Sequence, residues 1–244
     1  MEIGLDLALL AFLIGAFGLN TWVNIGRYRR LTSQAGNLDR AAFYRAGLVK
    51  SLILFLGGSV ISLIILKRTD AFAQIPQEFG AEALRSVLWR VRPDIVHGVI
   101  IAWVVVICLA SLMGGRQMKR LVGEGETNLA ALLPRNSGER FWAFLISLNA
   151  GLSEELFFRL VVPLLLAGVT GNAVLAFTLS VLLFGLGHAY QGLWGVITTT
   201  ILGAMLGFIY LYTGQILAVV AVHAGIDLWS LVVVPVLIGW GKKV

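Results

Sequence analysis

Seven long apolar segments alternate with shorter polar ones along the chain, and this pattern predicts a bundle of membrane-spanning helices. A helix of about 20 apolar residues crosses the roughly 30 Å of bilayer hydrocarbon. The seven segments are residues 3–23, 47–66, 95–113, 141–166, 172–190, 193–212 and 216–238. Because only a few residues join the last four segments, we expect those helices to pack as antiparallel neighbours.

The composition of the chain supports the same conclusion. Hydrophobic residues make up 58% of the 244 and charged residues only 13%, and the mean hydropathy is +0.88. A soluble domain of this length needs more polar surface, so that class is excluded. We therefore predict an all-α, polytopic transmembrane helical bundle of about seven spans. The single cysteine, Cys108, lies in an apolar run and permits no intrachain disulfide.

Basic residues cluster in the first and third loops and in the C-terminal tail, which predicts the orientation in the membrane. The formal net charge is +6, but the lysines and arginines lie in short loops without a basic-aromatic platform, so we expect no nucleic-acid partner. Because positively charged loops stay in the cytoplasm, the N-terminus is predicted outside and the C-terminus inside. Short loops and small size are typical of a bacterial plasma-membrane protein.

Two further patterns concern the membrane surface. Aromatic residues lie near the predicted span ends, where an interfacial belt would place them; they are Trp22, Trp89, Trp142, Tyr190, Trp194, Tyr212 and Trp240. In the second loop, apolar residues recur at helical spacing and predict a short interfacial helix, with a plain solvated loop as the alternative. These residues are Leu84, Val87, Leu88 and Val91.

The fourth apolar segment contains three charged residues that fold stability alone does not explain. Glu154, Glu155 and Arg159 lie deep in it, and each costs about 2.5–3.5 kcal/mol at the centre of a membrane helix. Glu155 and Arg159 are four residues apart, so they can pair on one face and support the structure. Glu154 is about 100° away around the helix and lacks that partner. We therefore predict that Glu154 is the reactive group, acting as a general base.

Two later segments carry the remaining ionisable residues. His188 lies near the end of the fifth segment, while His223 and Asp227 share one face of the seventh. At about 1.5 Å per residue from the outer turns, Glu154, His188 and Asp227 reach similar depths, and His223 lies one to two turns shallower. We expect the three segments to converge toward the cytoplasmic half of the bilayer.

Several neighbouring residues are assigned packing roles. Gly185, Gly187 and Gly225 lie beside the histidines and are expected to let adjacent backbones approach closely. Ser153 precedes Glu154 and is expected to cap or pack rather than to act as a nucleophile. His97 lies near the start of the third segment without catalytic partners, so it is expected to be structural.

Together, Glu154-Glu155-x-x-x-Arg159, Phe184-x-x-x-His188 and His223-x-x-x-Asp227 resemble the three motifs of the CAAX-protease and bacteriocin-processing (CPBP) family, also called the Abi family. The family includes the Ras-converting type of prenyl-protein endopeptidase. The resemblance covers about residues 133–234 and divides the chain into an N-terminal membrane region, 1–132, and a catalytic four-helix core, 133–244. Leu160 follows the arginine where the family often has glycine, a departure that concerns local packing.

The resemblance implies intramembrane hydrolysis of a peptide bond in a membrane or membrane-proximal protein substrate, with CAAX-type substrates among the candidates. By analogy, Glu154, helped by His188, would activate a water, and His223 and Asp227 would stabilise the oxyanion. Because an ionised carboxylate cannot stabilise an oxyanion, Asp227 must either be protonated or orient His223. Glu154, His188 and His223 are also a plausible ligand set for a catalytic zinc ion, so the cofactor stays open between zinc and none.

Two other functions are compatible with these residues. A non-enzymatic immunity or scaffold protein would keep the motif for structural reasons, and a proton-coupled transporter would use buried Glu, His and Asp side chains as a relay. Short-looped spans without repeats of discontinuous helices weigh against the transporter. Cleavage assays on Glu154 and His188 variants separate the endopeptidase from both alternatives.

Overall fold

The computed structural model describes residues 3–33, 39–81, 85–86, 93–121 and 132–241, and in these ranges the chain is helical apart from turns and connections. Seven helices follow there in chain order: α1 (Ile3–Ser33), α2 (Arg40–Ile65), α3 (Pro93–Leu121), α4 (137–170), α5 (Ala173–Gly187), α6 (Leu193–Thr213) and α7 (Ile216–Leu237). Five of them, all except α4 and α5, are long and apolar enough to cross a membrane. The prediction of an all-α, polytopic membrane bundle is confirmed.

Several helices extend beyond the apolar segments that predict them. α1 continues past residue 23 to Ser33, and α2 begins at Arg40 rather than at residue 47. Hydropathy marks the edge of the hydrocarbon, whereas backbone hydrogen bonding continues into the polar interface. α5 ends earlier than predicted, at Gly187, and a 3₁₀ turn over Ala189–Gln191 leads on to α6.

Local capping residues explain where the helices of the C-terminal half begin and end. Asn136 and Asn172 each accept the backbone N–H three residues ahead, at 2.9 and 3.0 Å, and so start α4 and α5. α4 and α6 are followed by Gly171 and Gly214, whose φ values of 64° and 70° are left-handed and favour glycine. These compact ends allow the chain to reverse within two or three residues, as the short connections predict.

α4 is the central helix of the bundle. Residues 156–167 are buried throughout, and α7 and α2 pack along its first half. Phenyl rings fill the contact with the N-terminal helices: Phe55 of α2 lies 4.9 Å from Phe157, and Phe17 of α1 lies 5.6 Å from Phe158, between ring centroids. α1 and α2 therefore share one hydrophobic core with α4–α7. The division of the chain at residue 133 stays a prediction.

Three helices contain a π-helical turn. The turns cover Leu52–Gly57 in α2, Leu156–Val161 in α4 and Trp229–Val233 in α7. A π-helical turn widens the helix and rotates the side chains that follow, and such turns are frequent at functional sites. The turn in α4 begins directly after Glu155 and includes Arg159, so it sets how these two side chains face each other.

The second loop folds back against the bundle through two 3₁₀ turns, Thr69–Phe72 and Gln77–Phe79. Phe79 is buried and packs edge-on against Phe177 of α5 at 4.9 Å between ring centroids. The interfacial helix predicted for the second loop lies largely outside the described residues; within that stretch the structure describes Arg85 and Ser86, both helical.

The predicted aromatic belt is correct in part. Trp22 and Trp194 are largely exposed on the bundle, as a belt requires. Trp240, by contrast, is 5% exposed and packs with Leu133, Val234 and Ile238. The assignment of Trp240 to the belt is therefore wrong, because the chain after α7 turns back onto the bundle. Trp89 lies outside the described residues.

Candidate active site

Glu155 joins two motif residues in the interior of the bundle. Its side chain is fully buried, and its Oε2 lies 3.1 Å from Nε of Arg159. Its Oε1 accepts a hydrogen bond from Nδ1 of His223 at 2.5 Å. The Glu155–Arg159 pair that the sequence spacing predicts is present, and the second bond ties α4 to α7.

The guanidinium group of Arg159 is held on three sides. It stacks over the ring of Phe184 in α5 at 4.2 Å from the centroid, and Nη2 donates to the carbonyl oxygen of Gly203 in α6 at 3.3 Å. A Cβ atom at Gly203 would lie 2.9 Å from the Phe184 ring, so glycine makes this approach possible. All four helices from α4 to α7 therefore meet at the Glu155–Arg159 pair.

Glu154 has different surroundings although it is the next residue. Its side chain is only half-buried, and no hydrogen bond or ion pair joins it to another residue in the described ranges. The charges of His223 and Asp227 in α7 act on its carboxyl group. Its oxygen atoms are thus available to a water or substrate molecule, while those of Glu155 are engaged.

The two motif histidines are oriented in the same way. His188 uses Nδ1 to bond the carbonyl oxygen of Phe184 at 2.9 Å, and His223 uses Nδ1 to bond Glu155. In both rings Nε2 is therefore the nitrogen left for chemistry, because a partner at Nδ1 fixes the ring and its tautomer. The ring of Phe184 packs against both, with centroid distances of 5.1 Å to His188 and 5.9 Å to His223.

Asp227 completes the group of ionisable residues. Its Oδ2 lies 3.8 Å from Nε2 of His223, beyond hydrogen-bonding distance, and its side chain is 28% exposed. The structure thus brings Glu154, Glu155, Arg159, His223 and Asp227 together. His188 is connected to this group indirectly: both it and His223 contact the ring of Phe184, and the charges of His223 and Arg159 act on it. In the described part of the chain it makes no hydrogen bond to Glu154.

Residues 136–229 match a family model described as type II CAAX prenyl endopeptidase Rce1-like. The matched segment begins at the residue that caps α4 and ends after Asp227, so it contains every residue of the three motifs. By this similarity, residues 136–229 are called the Rce1-like domain. The matching model is that of a protease family, and five of the described helices are long and apolar enough to cross a membrane. No curated protein and no solved structure matches the chain.

Close backbone packing holds the Rce1-like domain together, but not at all of the predicted glycines. A Cβ at Gly185 would collide with the side chain of Thr200 in α6, as expected. Gly225 has nothing within 4 Å of its Cβ position, so the prediction for Gly225 is wrong. The close contact of α7 is made instead at Gly151, where a Cβ would lie 2.7 Å from Cβ of Ala224. The sequence did not single out Gly151, because it lies on α4 and is far from both histidines along the chain.

The predicted zinc ligands do not form a metal-binding geometry. No three His, Cys, Asp or Glu side chains in the described ranges are arranged so as to hold a metal ion, and this includes Glu154, His188 and His223. The Nδ1 atoms of both histidines are engaged, by the carbonyl oxygen of Phe184 and by Glu155. The described residues do not fit a bound ion in this arrangement.

Two contacts near the Rce1-like domain's motifs were not anticipated. Ser153 is buried in the middle of α4 and shares a hydrogen bond of 2.6 Å with Ser51 of α2; it packs, as expected, but does not cap a helix. Tyr190 lies beside the ring of His188 and packs against Tyr28 of α1. The position of Tyr190, two residues after a motif histidine, could have indicated its contact with His188. Nothing in the sequence indicates that Ser51 and Ser153 are in contact.

His97 lies outside this group. Its ring packs edge-on against Tyr212 at 5.6 Å between ring centroids. The contact joins the start of α3 to the end of α6 and agrees with the structural role expected for His97.

Proposed function

We propose that the protein is an intramembrane endopeptidase that hydrolyses a peptide bond in a membrane or membrane-proximal protein, by attack of a water molecule that Glu154 activates. The observation that carries the proposal is that two adjacent carboxylates differ in their partners. Glu155 is fully buried and bound to both Arg159 and His223, whereas Glu154 has no such partner in the described residues. A general base needs a free carboxylate within reach of water, and Glu154 has one.

The first step is the attack on the scissile carbonyl. Glu154 takes a proton from water, the water oxygen bonds to the carbonyl carbon, and negative charge develops on the carbonyl oxygen. Nε2 of His188 helps to orient the water. Glu155 accepts the Nδ1–H of His223, and Nε2 of the same ring, when doubly protonated, donates to the oxyanion.

The second step is the collapse of the tetrahedral intermediate. The C–N bond breaks as Glu154 returns its proton to the leaving amine, so protons balance over the two steps. Asp227 acts by orienting His223: its carboxylate lies 3.8 Å from Nε2, and an ionised carboxylate in contact with the oxyanion would oppose the reaction. Of the two roles open to Asp227 from its sequence, the geometry favours this one.

The CAAX-type assignment of the substrate rests on the family match of residues 136–229. It implies a protein with a lipid-modified C-terminal segment, which reaches the site from the membrane surface. The cytoplasmic orientation of that surface rests on the distribution of basic residues.

Cleavage by purified protein in liposomes tests the proposal. Glu154→Gln and His188→Ala are expected to lower cleavage of a prenylated CAAX peptide at least 100-fold while the proteins still insert and fold. Glu139→Gln is the matched control, since Glu139 lies at the start of the same helix and bonds the backbone N–H of Arg135. Full activity of the Glu154 and His188 variants would refute the endopeptidase and favour a scaffold role.

A further inference from the structure

Tyr190 occupies a fixed position beside the catalytic histidine. It lies in the 3₁₀ turn Ala189–Gln191 that follows α5, and the backbone N–H of Gln191 donates to the carbonyl oxygen of His188 at 2.8 Å. The ring of Tyr190 is inclined by 31° to that of His188, with 6.0 Å between centroids. Tyr28 of α1 packs edge-on against its other side at 5.4 Å.

The hydroxyl group of Tyr190 has a proton to give. Its oxygen accepts a hydrogen bond from Nε2 of Gln191 at 3.0 Å, which leaves the O–H free to donate elsewhere. Within the described ranges no acceptor for that proton is present. A half-buried hydroxyl that is anchored by one bond and still able to donate is suited to a ligand.

The same hydroxyl lies at the edge of the group of ionisable residues. The ring of Tyr190 lies beside that of His188, and the charges of Glu154 and Asp227 both act on the hydroxyl, so it is placed next to these residues. A phenol with an ordinary pKa near 10 keeps its proton at neutral pH. It is therefore a neutral donor in a place where Asp227, when ionised, cannot serve as one.

We propose that Tyr190 is a further catalytic residue, whose hydroxyl donates a hydrogen bond to the carbonyl oxygen of the scissile bond and, more strongly, to the oxyanion that forms from it. This inference rests on the proposed endopeptidase function. It supplies a second donor beside Nε2 of His223, and preorganised donors aimed at the developing charge stabilise an oxyanion in a water-poor site. Tyr190 is not part of the three motifs, which explains why its aromatic ring read as an interfacial anchor.

Removing the hydroxyl is the direct test. Tyr190→Phe keeps both ring contacts and is expected to lower kcat by about 10²–10³-fold, the loss typical of one oxyanion donor, with KM changed less than about threefold. Tyr210→Phe is the matched control: its buried hydroxyl has no partner in the described ranges, and its ring packs near Phe79, away from the site. That variant is expected to cleave at the wild-type rate.

A second measurement separates a catalytic from a structural role. A peptide phosphonate that mimics the tetrahedral intermediate should bind Tyr190→Phe more weakly by the same factor as kcat/KM falls, whereas uncleaved substrate should bind a Glu154→Gln, Tyr190→Phe double variant as it binds Glu154→Gln. Equal losses for phosphonate and substrate would overturn the inference and assign Tyr190 to packing.

The outcomes also distinguish this inference from the proposed function. If Glu154→Gln abolishes cleavage and Tyr190→Phe cleaves normally, Tyr190 is not an oxyanion donor and the endopeptidase assignment stands. If Glu154→Gln cleaves normally, the endopeptidase chemistry itself is wrong. If both substitutions impair cleavage and phosphonate affinity follows kcat/KM, both conclusions stand.

Discussion

Each half of the molecule contains a glutamate–arginine pair, and the two pairs lie in different surroundings. In the Rce1-like domain, the side chains of Glu155 and Arg159 are 0% and 2% exposed. In the loop after α2, Arg68 makes a two-pronged contact with Glu78, and these side chains are 20% and 31% exposed. A buried ionic pair is costly to break, whereas an exposed pair contributes little.

The difference indicates what each region contributes. The pair in the domain also binds His223 and the backbone of Gly203, so it fixes the relative position of α4, α6 and α7. The pair in the loop closes a turn between two 3₁₀ segments. The contacts from α1 and α2 to α4 are made instead by phenyl rings and by the Ser51–Ser153 bond. The residues of the proposed chemistry thus lie in the domain, and the N-terminal helices pack against the helix that carries two of them.

The largest expected effect is that of Glu155→Gln. The substitution leaves the guanidinium of Arg159 buried without a counter-charge, which is expected to lower the free energy of unfolding by about 3–5 kcal/mol and to abolish cleavage. Glu154→Gln should also abolish cleavage but change stability by less than about 1 kcal/mol. Thermal unfolding of both variants in detergent measures the contrast. Equal stability losses would contradict the assignment of Glu155 as a structural residue and Glu154 as the general base.

Gly151→Ala tests the contact between α4 and α7. The added Cβ would lie 2.7 Å from Cβ of Ala224 and 2.9 Å from the carbonyl oxygen of Val220, so α7 must shift. Such overpacking typically costs about 1–3 kcal/mol, and we expect cleavage to fall because His223 and Asp227 move with α7. Gly225→Ala is the matched control, with nothing within 4 Å. Indistinguishable unfolding curves for the two variants would contradict this packing.

Ser51→Ala probes how α2 positions the catalytic helix. It removes one partner of the hydrogen bond to Ser153, whose hydroxyl is buried, at an expected cost of about 1–3 kcal/mol. Because Ser153 precedes Glu154, we expect kcat to fall severalfold with KM nearly unchanged, and Ser51→Thr to restore it. Ser59→Ala is the control in the same helix, since the buried Ser59 hydroxyl has no partner in the described ranges. Identical kinetics for the two alanine variants would exclude the role of α2.

The sequence predicts those parts of the structure that depend on a single segment. Seven apolar runs predict seven helices because hydropathy acts on each helix separately. The Glu155–Arg159 pair follows from spacing on one helix. The hydrogen bond from His223 to Glu155 does not, because it depends on how α4 and α7 are rotated and shifted relative to each other.

The depth of His223 illustrates the limit of predictions that treat each helix separately. Counting residues on ideal helices places it one to two turns shallower than the carboxylates, yet it bonds Glu155 directly. The π-helical turn Leu156–Val161 lies between Glu155 and the outer end of α4 and alters both rise and rotation there. Tyr190 illustrates a related limit: a tyrosine at a span end suits an interfacial belt, and only the packing of Tyr28 and His188 around it suggests the further role proposed for it.

The smallest expected effect concerns the exposed pair in the loop. The hydrogen bond from Arg68 lowers the pKa of Glu78 below its ordinary value of 4.5, so the folded state favours the ionised carboxylate. The contribution of the pair to the free energy of unfolding is therefore fully present above about pH 4.5 and is lost as the pH falls below that value. For a pair this exposed, that contribution amounts to less than about 1 kcal/mol.

Unfolding of wild-type and Glu78→Gln proteins between pH 7 and pH 3.5 measures the contribution of the pair. The small difference in stability between the two proteins at pH 7 should disappear as the pH falls. A gap that widens on acidification, or one as large as that of Glu155→Gln, would mean that the two pairs do not differ as their burial indicates.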